Sequence, residues 1–156
     1  MNILFVDDAP DMRHIFSTVF VLEGHHTKIA KNGVDAIEAV RWQTFDAIVM
    51  DVEMPQMDGI EATRRIRQLP HGKNVPIVMF TGYGDSGYDR KALEAGANAV
   101  LYKPLLPKQL LDQISSRNDL AAPRKKLYAQ PQCFEYGNME RIAQAQSSNW
   151  GDYRRV

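Results

Sequence analysis

Asp7 with Asp8, Asp51, Thr81 and Lys103 each follow directly on a short apolar run, and together these side chains could carry out one kind of chemistry. Three carboxylates gathered at one rim repel one another and need a cation. Hard oxygen donors suit Mg²⁺, which keeps several waters and leaves room for a phosphoryl oxygen. Phosphoryl transfer demands mainly positioning and neutralisation of charge on the moving group. A metal, an ammonium and a hydroxyl around one acceptor aspartate supply both. A carboxylate nucleophile yields a mixed anhydride, reactive enough for reversible use. The chain has no Gly-Lys-Ser/Thr phosphate loop, so the phosphoryl donor must come from elsewhere. Each residue also has a plainer reading. Asp8 could cap a helix, Asp51 could lie in a solvated loop, Thr81 could end a strand, and Lys103 before Pro104 could sit in an extended turn. The coincidence at four strand ends favours the joint reading.

The elements that must position these groups are legible in the hydrophobic pattern. Apolar runs at 3–6, 27–30, 47–50, 77–80 and 99–102 are strand-sized and mostly rich in β-branched or aromatic residues. The three central ones are nearly unbroken apolar sequence, as in strands buried on both faces of a parallel sheet. Helical stripes alternate with them: Met12, Ile15, Phe16, Val19 and Phe20, closed by Gly24; Val34, Ile37 and Val40 after Asn32-Gly33; Ile60, Thr63 and Ile66, stopped by Pro70 and Gly72. Ala92, Leu93 and Ala95 end at Gly96, and Pro107 opens a fifth helix with Leu110, Leu111 and Ile114 inward. Five strands alternating with five helices predict a doubly wound α/β fold, a five-stranded parallel sheet in the flavodoxin-like order 2-1-3-4-5. The functional crevice of such sheets lies beyond the carboxyl ends of the strands, where the order reverses.

The pattern covers residues 1–117, the expected domain. Residues 118–156 form a tail of different character, with Pro123, Pro131 and an Arg124-Lys125-Lys126 cluster. It carries six basic and four acidic residues, against 13 and 15 before it. One short helix around 135–147 is expected there, the rest irregular, and 39 residues of this kind hold no second core. Trp150 and Tyr153 could anchor the tail to a partner or to the domain.

Lys plus Arg and Asp plus Glu are equal at 19 each, so overall charge makes no case for nucleic acid or membrane. The lone Cys133 forms no internal disulfide, and no apolar run approaches the ~18 residues that span a bilayer. The opening run stops at Asp7-Asp8, unlike a signal peptide, so a cytoplasmic protein is expected. His14 and the His25-His26 pair read as surface histidines rather than metal ligands.

The segments Phe5-Val6-Asp7-Asp8, Ile48-Val49-Met50-Asp51-Val52-Glu53-Met54-Pro55-Gln56-Met57-Asp58-Gly59, Phe80-Thr81-Gly82 and Tyr102-Lys103-Pro104 resemble the response-regulator receiver family, in a CheY-like, stand-alone form. The resemblance implies a two-component or phosphorelay role. Asp51 would be the phosphorylated aspartate. Asp8 and Asp51 would bind Mg²⁺ directly, Asp7 through water, and the backbone carbonyl of Glu53 would complete the ligands. Lys103 would pair with the phosphoryl group, Thr81 would hydrogen-bond to it, and Tyr102 would be the aromatic that turns inward as Thr81 moves. Gly82 stands where the family usually has a residue such as Ala, and Glu53 and Tyr83 occupy positions that tune dephosphorylation.

The implied partners are a histidine kinase or histidine phosphotransfer protein upstream and a protein partner downstream, with neither membrane nor nucleic acid. Any enzymatic activity would be the protein's own phosphotransfer and autodephosphorylation, without turnover of a metabolite. Two other classes stay open: an interaction scaffold independent of phosphorylation, and a phosphatase with an aspartyl intermediate, for which Glu53 is the nearby second acid.

Overall fold

The structure is a computed structural model that describes residues 1–82 and 86–115. The expectations for Tyr83 and for the 118–156 tail lie outside the described residues.

Strand β1 (Asn2–Val6) leads to helix α1 (Pro10–Leu22), then β2 (His26–Ala30), α2 (Gly33–Trp42), β3 (Ala47–Met50) and α3 (Gly59–Ile66). A 3-10 turn (Pro70–Gly72) precedes β4 (Ile77–Thr81), α4 (Ser86–Ala95), β5 (Ala99–Tyr102) and α5 (Pro107–Ser115). All strands are parallel, in the order β2-β1-β3-β4-β5. The predicted order is the observed one, and the expected strands match within a residue at each end.

Alternation along the strands divides the interior in two. Leu4, Val6, Ile48, Met50, Ile77, Met79 and Val100 point to one side and pack with Ala36, Val40, Ile60, Ile66 and Ala92 of α2, α3 and α4. Ile3, Phe5, Val49, Val78, Phe80 and Leu101 point to the other, against Phe16 and Phe20 of α1 and Leu110, Leu111 and Ile114 of α5. Phe16 is the hub of this second core, stacked on Phe5 at 4.9 Å and tilted against Phe80 at 5.5 Å. Burying such a side chain stabilises the fold by about 1.5–3 kcal/mol.

Two members of the predicted stripes do not face inward: Ile15 is 50% exposed and Val34 46%. A helix lying on a sheet buries a narrow line of residues, here Phe16 and Phe20 in α1 and Ala36 and Val40 in α2, and the flanks of a wider apolar stripe stay in solvent.

The helix entries are set by local chemistry. Asn32 caps α2, its side chain accepting from the Asp35 amide at 2.8 Å, and Asp58 caps α3 through the Glu61 amide at 2.7 Å. Gly96, at φ 109°, follows the end of α4 as expected of a C-terminal glycine. No helix among the described residues is long and apolar enough to cross a membrane.

Candidate phosphoryl-transfer site

The strand ends converge as the spacing predicts. Asp51 follows β3, and its amide donates to the Val6 carbonyl at the end of β1, 2.9 Å away. The amide of Asp7 donates to Ala30 of β2, and that of Lys103 to the Thr81 carbonyl of β4 at 2.8 Å. Backbone pairing therefore extends just past the strands and presents these residues at one rim.

The side chains meet there. The ammonium of Lys103 reaches Oδ2 of Asp7, 96 positions earlier in the chain, at 2.8 Å and Oδ2 of Asp51, 52 positions earlier, at 3.1 Å. Its Nζ also lies 5.4 Å from the centre of the Phe80 ring, a cation–π approach that helps to hold it over the sheet. The remaining oxygens of the two buried carboxylates are satisfied locally, Oδ1 of Asp7 by the Ala9 amide at 2.9 Å and Oδ1 of Asp51 by the Val52 amide at 2.8 Å. Asp8 is exposed, yet one carboxylate oxygen each from Asp7, Asp8 and Asp51 lie within 4.8 Å of one another.

Burial pushes the Asp51 carboxyl above its ordinary range; attraction to Lys103 opposes that, and the charge of Asp7 adds to it. For Lys103, burial alone would lower the value, but the hydrogen bond to Asp7 and the charges of Asp51 and Asp7 outweigh it and raise the ammonium's pKa. Three acids against one ammonium leave an excess of negative charge at the rim. Clustered hard oxygens with such an excess fit a divalent cation of the Mg²⁺ type.

Glycine is required behind the acceptor. A Cβ on Gly59 would stand 1.9 Å from the Asp51 carbonyl oxygen, so only glycine lets α3 begin this close to the end of β3. The same loop contains Gln56 at φ 68°, and the Asn32 side-chain amide donates to the Gln56 side chain at 3.1 Å, linking the loop to the start of α2.

Thr81 is buried at the end of β4 and registered beside Tyr102 of β5. Glu53 is exposed in the β3–α3 loop and lines an open cleft of about 510 Å³ with Asp8, Met54, Asp58 and Tyr88. His14 and His26 are exposed and His25 is half-buried.

Two residues at the site carry no signal in the sequence. The Arg13 guanidinium donates to the backbone carbonyls of both Asp7 and Asp8, each at 2.7 Å. The Tyr102 hydroxyl donates to Oδ2 of Asp89, a buried acid of α4 whose Oδ1 has no partner among the described residues. Both contacts join residues through side-chain reach rather than periodicity, so no spacing rule finds them.

Comparison with known proteins finds similarity in sequence and in fold. Residues 3–115 match the family model described as the response regulator receiver domain. The chain is 35% identical over 114 residues to the chemotaxis protein CheY of Halobacterium salinarum, covering 73% of this chain and 93% of that protein. It is 34% identical over 110 residues to the signal transduction histidine-protein kinase BarA of Escherichia coli K12, 70% of this chain but only 12% of the kinase's length. Among solved structures, the receiver domain of the sensor histidine kinase PA1611 of Pseudomonas aeruginosa PAO1, with a magnesium ion coordinated in its active-site cleft, is 31% identical with a TM-score of 0.69. That match covers 74% of this chain and 94% of the other. Chemotaxis protein CheY4 of Vibrio cholerae is 30% identical with a TM-score of 0.71, over 74% and 96% of the two chains.

Proposed function

The chain belongs to the response regulator receiver family, and on that premise we propose that Asp51 accepts a phosphoryl group and that the resulting charge switches a partner-binding surface. The observation that carries this reading is the Lys103 ammonium held between Asp7 and Asp51, with the Asp8 carboxylate beside them.

In the proposed reaction, a carboxylate oxygen of Asp51 attacks the phosphorus of a phosphohistidine in a kinase or phosphotransfer protein. The P–N bond breaks, the electron pair returns to the imidazole, and an aspartyl phosphate forms. Lys103 neutralises negative charge on the transferring group, and the Thr81 hydroxyl donates to a phosphoryl oxygen. Asp8 and Asp51 directly, Asp7 through water and the Glu53 carbonyl would hold Mg²⁺, which when bound supplies charge neutralisation between the acids and the phosphoryl oxygens. Raised pKa values suit both groups to the resting state: Lys103 stays protonated, and Asp51 keeps the basicity of a competent nucleophile once ionised.

The added charge would draw Thr81 toward the phosphoryl group and free Tyr102 to move beside it. Tyr102 holds Asp89 of α4, so that movement would alter the α4–β5–α5 surface. The proposed receiver works in the cytoplasm and signals by binding a protein or relaying the phosphoryl group onward. Incubation of the full chain with acetyl phosphate and Mg²⁺, followed by intact-mass measurement, tests the core of the reading. The parent should gain the mass of one phosphoryl group and Asp51→Asn none. An unmodified parent, under conditions that modify a control receiver, leaves the scaffold class in its place.

A further inference from the structure

The turn between β1 and α1 supplies two of the three clustered acids, yet α1 begins without a side-chain cap: Ala9 occupies the N-cap position and has no side-chain oxygen to offer. Arg13, one turn into the helix, reaches back over this turn. Its Nη1 donates to the carbonyl of Asp7 and to that of Asp8, both at 2.7 Å. The Ala9 amide closes the same turn from the other side by donating to Oδ1 of Asp7. The Asp8 side chain is exposed, and the backbone that carries it sets where its Cα–Cβ bond points.

Resting on the phospho-acceptor reading, we propose that Arg13 is a positioning residue for the cation site: by tying down the Asp7 and Asp8 carbonyls it holds the two acids in the arrangement that accepts a divalent metal. The proposal separates itself from a purely electrostatic role by sign. A nearby guanidinium repels a cation, so loss of its charge alone would tighten metal binding. Loss of its two hydrogen bonds loosens the ligand turn and weakens binding, as removing a partner that orients metal ligands commonly does.

The test titrates full-length parent, Arg13→Ala, Arg13→Gln and Arg13→Lys with MgCl2 alone by calorimetry, and measures amide hydrogen exchange without metal. Arg13→Ala should bind Mg²⁺ roughly 10- to 100-fold more weakly. It should also exchange the Ala9 amide faster, with the Met79 amide in the core of β4 unaffected. Arg13→Lys, which keeps an ammonium donor able to reach carbonyl oxygens, should recover most of both. If Arg13→Ala does not fold, Arg13→Gln, which keeps an uncharged donor, should fall between Lys and parent on one side and total loss on the other. Equal or tighter Mg²⁺ binding with an unchanged Ala9 amide overturns the proposal. A parent that binds no Mg²⁺ instead removes the reading of the metal site, and the exchange of Ala9 then still decides whether Arg13 positions the turn.

Discussion

Replacing Lys103 by Met keeps most of the unbranched side chain and deletes its charge, leaving Asp7 and Asp51 at 1% and 9% side-chain exposure with no cation between them. Removing one member of a buried ion pair costs about 3–5 kcal/mol, because the remaining charge stays out of water uncompensated. Lys103 is itself 22% exposed, so water can partly take its place and about 3 kcal/mol is the expected loss at neutral pH. For a domain of this size that lowers the thermal midpoint by on the order of 10 °C.

The pH dependence carries the sharper test. In the parent, Asp51 titrates above its ordinary value, so the native state binds more protons than the unfolded chain between the two values and its stability falls as pH rises through that interval. Without Lys103 the interval widens upward, so the mutant's deficit should shrink in mild acid and grow toward neutrality. The raised Lys103 value works on the alkaline side: its contribution is fully present below the ordinary lysine range and is lost as pH climbs through the folded value, a loss that Lys103→Met should not show. Asp51→Asn added to Lys103→Met should restore much of the stability, since it removes one stranded charge. Thermal melts of the parent, Lys103→Met, Asp51→Asn and the double variant across pH, without metal, read all of this. A deficit independent of pH, or a double variant no more stable than Lys103→Met, would refute the argument from uncompensated acids.

Other positions yield narrower expectations. Tyr102→Phe deprives buried Asp89 of its hydroxyl donor and should cost about 1–3 kcal/mol. Amide exchange should quicken in α4 more than in β1, and equal rates in mutant and parent would count against the contact. Gly59→Ala forces a methyl against the Asp51 carbonyl and should destabilise by about 1–3 kcal/mol while slowing phosphoryl uptake; an unperturbed melt and rate would mean the helix start yields without strain. Glu53→Ala should change the lifetime of the phosphorylated protein, and identical decay curves for the two would remove Glu53 from that role.

The fold was readable because parallel strands buried on both faces write themselves as unbroken apolar runs, and because glycine and proline mark the helix ends. Asp51, Asp7, Asp8 and Lys103 were readable for a related reason: a residue that directly follows a buried strand must emerge at the rim. Thr81 came from the same rule, whereas Tyr102 closes its own apolar run and was singled out only by the family resemblance; their side-by-side register is a finding of the structure. Ile15 and Val34 were misjudged because periodicity gives the direction of a stripe and not the width of the contact that covers it. Arg13 and Asp89 left no trace at all. A guanidinium bonding carbonyls six and five residues back, and an acid buried on a helix face, are decided by the path of side chains through space, and no residue spacing encodes that path.

The sheet also works as a partition. Tyr102 packs with the layer of α2, α3 and α4, whereas its strand neighbour Leu101 is locked among the phenylalanines beneath α1 and α5. A shift of the tyrosine ring, as the proposed switch requires, would therefore act first on the compartment of α2, α3 and α4. In that proposal a single thin layer of strands would carry the chemistry at its rim and separate the compartment that responds first from the aromatic one behind it.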